Sequence, residues 1–224
     1  MATKRILLIS NSTQHGRGFL DHVEGELRDF LGSARLLLFV PHALFDREAY
    51  TAKARARFAG MGYELSDLDR AEAIFVGGGN TFRLLKALQD LGLIEAIRRR
   101  VEQGIPYMGS SAGSIVAGPS LKTTKDMPIV QPRSFDALGL VPFQISPHYL
   151  DPDPASRHMG ETQEERILQF LEENDAPVLG LREGGWVRVE GASVRVGGSA
   201  GARLFRKGMP AVEKQPGEEL GVTA

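Results

Sequence analysis

The stretch Tyr107-Met108-Gly109-Ser110-Ser111-Ala112-Gly113-Ser114 ends an apolar run in glycines that bracket a serine. Between a buried strand and the start of a helix, small residues let the backbone bend sharply and push one hydroxyl out above the sheet edge. In the frame Gly-x-Ser-x-Gly that hydroxyl belongs to Ser111. The same residues also read as a plain strand-to-helix turn in which Ser110, Ser111 or Ser114 caps the helix. What separates the two readings is whether the rest of the chain supplies a base, a carboxylate and a place for an oxyanion.

A serine hydroxyl is a poor nucleophile at neutral pH and needs a base, commonly a histidine, whose tautomer a carboxylate must fix. Of the five histidines, His148 is the best placed, because it follows an apolar run and a proline and opens a loop. His22 falls in an expected surface helix, and His15, His42 and His158 sit where no other catalytic residue type gathers. Two carboxylates suit the third position: Glu183, at a strand end before a double glycine, and Asp126, in the loop between Ser111 and His148. Gly77-Gly78-Gly79-Asn80 forms a second glycine-rich turn at a helix start. Its backbone N–H groups could cradle an anion, but it has neither the lysine of a P-loop nor the G-x-G-x-x-G spacing of a dinucleotide site. As an oxyanion hole, the N–H groups of Gly79 and of Ala112, the residue after Ser111, would converge on the developing charge.

These residues must be held by the elements between them. Apolar runs predict strands over 6–10, 36–40, 63–68, 73–76, 143–146 and 178–181, with a further strand ending at the Ser111 turn. Helical periodicity covers 19–31, 47–61, a segment starting near Thr81, 93–102 and 161–174. Residues 123–133 read as loop. Val187-Arg188-Val189 and Val194-Arg195-Val196 flank Gly191, and Leu204-Phe205 precedes Lys207-Gly208, as antiparallel hairpins closing a sheet edge would. Strand and helix in alternation give an α/β fold, a mostly parallel sheet with helices on both faces, and sites at the carboxyl ends of its strands. Both glycine-rich turns fall there.

With 224 residues, 42% hydrophobic and 25% charged, the chain is expected to form one domain over 1–224. A formal charge of -1, with both signs interspersed, argues against nucleic acid or an anionic membrane and for a small-molecule partner. The absence of cysteine removes disulfides, thiolate metal sites and cysteine nucleophiles together. The apolar run that begins at Arg5 is too short to span a bilayer and has no signal-peptide cleavage pattern, so the cytoplasm is the expected location.

Taken together, the motifs resemble those of the peptidase E family of serine aspartyl dipeptidases. They include Leu8-Ile9-Ser10-Asn11-Ser12-Thr13, Val76-Gly77-Gly78-Gly79-Asn80-Thr81-Phe82, Ser111-Ala112-Gly113, Thr123-Thr124-Lys125-Asp126-Met127-Pro128-Ile129-Val130, Phe135-Asp136-Ala137-Leu138, Pro147-His148, Gly160-Glu161-Thr162 and Glu183-Gly184 before Trp186. The resemblance implies a class I glutamine amidotransferase-like fold, Ser111 as nucleophile and His148 as base. For the third member it implies Glu183, matching the family's Ser-His-Glu description, or Asp126, matching an aspartate also assigned to the relay. It implies hydrolysis of dipeptides with an N-terminal aspartate, with no metal and no cofactor, by a monomer or homodimer. One position departs. Where the family often reads Gly-Glu-Thr-Arg, this chain has Gln163, which offers the substrate's aspartyl carboxylate a hydrogen bond but no charge. Arg157, His158 and Arg166 are the nearby candidates to replace that charge. Two alternatives accompany this reading: a cyanophycinase-like peptidase acting on β-linked aspartyl-arginine, and a non-catalytic small-anion or nucleotide sensor built on the Gly77-Gly78-Gly79-Asn80 turn.

Overall fold

In the computed structural model of the chain, which describes residues 3–157 and 159–222, the uninterrupted apolar runs become buried strands. The first sheet has the order β3-β2-β4-β5-β1-β8-β9. Its parallel part consists of β1 (Arg5–Ile9), β2 (Leu36–Val40), β3 (Glu64–Leu65), β4 (Ala73–Val76) and β5 (Tyr107–Ser110). β8 (Gly185–Glu190) then pairs antiparallel with β1, and β9 (Ser193–Gly198) closes the edge as a hairpin. A second sheet, of order β11-β10-β7-β6, sets β6 (Gln144–Pro147) parallel to β7 (Val178–Leu181), with β10 (Ala202–Phe205) and β11 (Val212–Lys214) antiparallel beyond them. The hairpins expected from the tail are therefore divided between two sheets instead of closing one.

Because successive side chains on a strand point to opposite faces, each strand of the first sheet feeds two cores. Leu7, Ile9, Leu37, Phe75 and Met108 pack against α1 (Glu24–Leu31) and α2 (Arg47–Gly60) through Leu27, Phe30, Ala54 and Phe58. Ile6, Leu8, Ile74, Val76 and Tyr107 face the other way, toward Leu84 and Leu88 of α3 (Thr81–Asp90) and Ile97 and Val101 of α4 (Leu93–Glu102). α5 (Ala112–Ile115) is one short buried turn after Ser111. α6 (Gln163–Glu173) starts on a reciprocal cap between Thr162 and Glu165.

Two boundaries differ from expectation. The helix expected over 19–31 begins only at Glu24, after a 3-10 turn over Asp21–Val23 with Leu20 at φ 61. The Asp21 carboxylate accepts from the Gly18 N–H at 2.7 Å and the Leu20 N–H donates to Ser12 at 2.7 Å, which folds residues 11–20 into a loop beside the end of β1. The strand expected over 63–68 shrinks to Glu64–Leu65, an edge position where the Ser66 N–H makes a last bond to Leu37 before the polar chain leaves the sheet. Among the described residues no helix is long and apolar enough to cross a membrane.

Candidate active site

Between β5 and α5, Ser111 sits at φ 51 and ψ -110. A non-glycine residue held there stores roughly 1–3 kcal/mol of strain unless its surroundings fix it. They do: its N–H donates to Ile9 at 3.0 Å, and its carbonyl accepts from Ser114 at 2.9 Å and Ile115 at 3.0 Å. The flanking glycines are sterically required. A Cβ on Gly109 would strike the Gly113 main chain, and one on Gly113 would strike the Val76 carbonyl. The neighbouring serines face inward. Ser114 Oγ is buried 2.8 Å from both the Ile9 and the Gly109 carbonyl, either of which can take its proton, and Ser110 Oγ is buried without a partner among the described residues.

Ser111 Oγ lies 2.9 Å from His148 Nε2, and His148 Nδ1 lies 2.6 Å from Glu183 Oε1. His148 too takes a positive φ, 53. Its N–H donates to Ser10 Oγ at 2.9 Å, while that hydroxyl donates to the Leu181 carbonyl at 2.9 Å. Beside Glu183, the Gly184 N–H donates to Asn11 Oδ1 at 2.8 Å. The polar residues that end β1 thus tie together the loops carrying His148 and Glu183.

Three N–H groups of the Gly77-Gly78-Gly79-Asn80 turn are already committed: Gly77 to Val40, Gly78 to the Tyr50 hydroxyl and Asn80 to Ala43. Those of Gly79 and Ala112 meet no acceptor among the described residues. This leaves the turn short of donors for a nucleotide phosphate but supplies the pair that an oxyanion needs. Gly78, Gly79, Ser111 and His148 line one cleft of about 840 Å³.

Asp126 also lines that cleft, but it does not contact His148. Its Oδ2 accepts from the Thr81 N–H and the Thr81 hydroxyl, both at 2.6 Å. The first turn of α3 presents unsatisfied N–H groups and a positive dipole end, which draw this carboxylate away from a relay role. Gln163, expected at the substrate, is tied to the loop that carries His148. Its Oε1 accepts from the Leu150 N–H at 3.1 Å and from Lys125 Nζ at 3.0 Å, while its Nε2 donates to the His148 carbonyl at 3.2 Å. With both ends of its amide spent on the His148 loop, it lines a separate cavity of about 90 Å³ together with Arg166. Arg157 is exposed and lines neither space, and His158 falls outside the described residues.

A family-wide sequence profile, that of peptidase family S51, matches residues 6–197. The chain belongs to peptidase family S51. It is 56% identical to a peptidase E of Streptomyces coelicolor, over 96% of this chain and 93% of that one. It is 48% identical to a probable alpha-aspartyl dipeptidase of Drosophila melanogaster, over 92% of this chain and 91% of that one. In fold it is similar to a putative peptidase E of Listeria monocytogenes, with TM-score 0.68 at 22% identity over 89% of this chain and all (100%) of that one. A peptidase from an acI-B1 actinobacterium gives TM-score 0.73 at 17% identity, over 97% of this chain and 96% of that one.

In this S51 peptidase the cation nearest Gln163 is one that sequence reasoning passed over. Lys125, within the segment read only as loop and motif, donates from Nζ to the Pro147 carbonyl at 2.8 Å, to the His148 carbonyl at 3.2 Å and to Gln163. Burial of the ammonium lowers its pKa to about 8; Arg166 pushes the same way, and Asp126 and Glu183 oppose it. Ser10 and Asn11 were also passed over as supports, although their place after an apolar strand, at the sheet's carboxyl end, was the available signal.

Proposed function

We propose that this S51 peptidase is a serine-type dipeptidase that hydrolyses dipeptides with an N-terminal aspartate through an acyl-enzyme. The observation that carries the reading is the unbroken relay Ser111 Oγ, His148, Glu183 beside two N–H groups with no acceptor among the described residues. His148 Nε2 takes the Ser111 proton as Oγ attacks the peptide carbonyl carbon, and Glu183, accepting from Nδ1–H, stabilises the imidazolium. The Gly79 and Ala112 N–H groups hold the oxyanion. On collapse the C–N bond breaks and His148 passes its proton to the leaving amine. Water, deprotonated by the same histidine, then cleaves the ester, releases aspartate and restores Ser111. The name of the Drosophila relative, an alpha-aspartyl dipeptidase, supports the substrate class.

For that substrate, Lys125 and Arg166 supply from beside the Ser111 cleft the positive charge that Gln163 lacks: they line the neighbouring cavity, with the Lys125 donors on Pro147, His148 and Gln163. The ammonium of the substrate meets Asp126 Oδ1, the oxygen not engaged by Thr81. The reading keeps the cytoplasmic setting expected from the sequence. Incubating the purified protein with Asp-Leu and assaying free leucine tests it. Turnover that disappears in Ser111→Ala is the expected result; an inactive wild type, or an active Ser111→Ala, would overturn the reading.

A further inference from the structure

The Ser111 cleft has an end that these steps leave unused. α2 and its cap turn Asp46, Ala49, Tyr50 and Lys53 toward it, the i, i+3, i+4 and i+7 stations of one helix face. Phe19, Leu44 and Phe45 complete an apolar wall. Lys53 is the only Lys or Arg among the described residues lining this cleft. Its Nζ stands 4.9 Å from the centre of the Phe19 ring, and it forms no hydrogen bond or ion pair with any described residue. Phe19 meets Tyr50 edge-on at 6.1 Å, the Tyr50 hydroxyl receives the Gly78 N–H, and Gly78 backs onto the nucleophile: a Cβ added there would lie 3.1 Å from Ser111 Cβ. A continuous row of contacts therefore leads from Ser111 to an uncommitted cation. Of the carboxylates lining this cleft, Asp46 accepts from the Ala49 N–H through Oδ1 and Asp126 from Thr81 through Oδ2, and neither forms an ion pair with Lys53.

A dipeptide differs from every longer peptide by carrying a carboxylate on the residue just past the scissile bond, one Cα step of about 3.8 Å away. Resting on the dipeptidase reading above, we infer that Lys53 binds the C-terminal carboxylate of the leaving residue, whose side chain packs on Phe19, Leu44 and Phe45. The contact makes Lys53 a specificity residue, one that distinguishes dipeptides from peptides whose next group is a neutral amide. Resting over an aromatic face keeps the ammonium in place without neutralising it.

The test compares kcat and KM of wild type, Lys53→Met and Lys53→Arg on Asp-Leu, on its C-terminal amide and on Asn-Leu. Lys53 is exposed, so neither substitution threatens the fold. Wild type should favour Asp-Leu over the amide through KM. Lys53→Met should raise KM for Asp-Leu roughly tenfold, leave kcat and the amide unchanged, and so erase that preference, with Lys53→Arg restoring it. Equal losses on acid and amide, or no change on either, would overturn the inference. So would a loss that narrows the gap between Asp-Leu and Asn-Leu instead, since that would put the aspartyl side chain at Lys53. An inactive wild type fells the dipeptidase reading itself; an active wild type with an unaltered Lys53→Met fells this inference alone.

Discussion

Glu183 and Asp126 both stand near His148 in sequence logic, but their oxygens are spent differently. Glu183 receives His148 Nδ1 at 2.6 Å, whereas one oxygen of Asp126 takes both Thr81 donors. Glu183→Gln keeps a polar contact but cannot stabilise an imidazolium, so kcat on Asp-Leu should fall roughly 10²-fold or more with KM near wild type. Asp126→Asn removes the charge facing the substrate ammonium and should raise KM instead. Steady-state kinetics on the two variants check this, and the reverse pattern would return Asp126 to the relay. Lys125 adds a pH dependence. Its pKa is lowered by burial to about 8, so its charge is present below that pH and lost as pH rises through it. KM for Asp-Leu should therefore climb above pH 8 while KM for Asn-Leu stays level, and Lys125→Arg should flatten the climb. Ser111 and His148 were legible because small residues and a proline mark the ends of apolar runs. The division between Glu183 and Asp126, and the meeting of Lys125 with Gln163, depend on which loops fold back on one another, and spacing carries no record of that.

At the level of elements, the strands legible to the residue, β2, β4 and β7, are continuous apolar runs, β4 and β7 buried on both faces and β2 half-buried at Leu36 and Leu38. The ones that slipped are edges and polar starts. β3 lacks a second neighbour, and the first turn of α1 lost its place to a loop organised by Asp21 and Ser12. The consequential element is the end of β1, where Ser10 bridges the His148 N–H and the Leu181 carbonyl. Ser10→Ala leaves a part-buried His148 N–H without its acceptor, a loss of about 1–3 kcal/mol. At about 2–4 °C per kcal/mol in a chain of this size, Tm should drop by several degrees. Because the same bond holds His148 at a positive φ, kcat should drop as well, while KM for Asp-Leu should stay close to wild type. Thermal melts and kinetics on the one variant test both halves; a stable, fully active Ser10→Ala would show that the remaining contacts suffice to hold the loop.

The division of the C-terminal hairpins between two sheets gives the last residues a task that alternation alone did not reveal. β11 pairs with β10 at the edge of the second sheet, and Glu213 within it holds Arg182 from one side while Asp151 holds it from the other at 2.7 and 2.8 Å. The chain then crosses to the first sheet, where Gly217 and Glu218 pair with Val196, and Glu219 and Leu220 with Val194, at the β9 edge. Leu220 is fully buried there. The tail is thus a strap across both sheets, and its outer end reaches Arg182, the residue preceding Glu183. Leu220→Ala opens a cavity in the core that holds Ile6, Leu8, Val194 and Val196 and should cost about 2–5 kcal/mol, lowering Tm substantially while kcat at 25 °C stays near wild type. Glu213→Gln leaves the core intact and should barely move Tm, because half-exposed ion pairs contribute little to stability. Its effect belongs at the site, as a modest loss in kcat when Arg182 and the adjoining Glu183 are less firmly held. Melting curves and Asp-Leu kinetics on the two single variants and the double variant decide the matter. Separate effects that add in the double variant are expected of a strap with two independent anchors, whereas a shared loss of both Tm and kcat in each single variant would make the tail one cooperative unit.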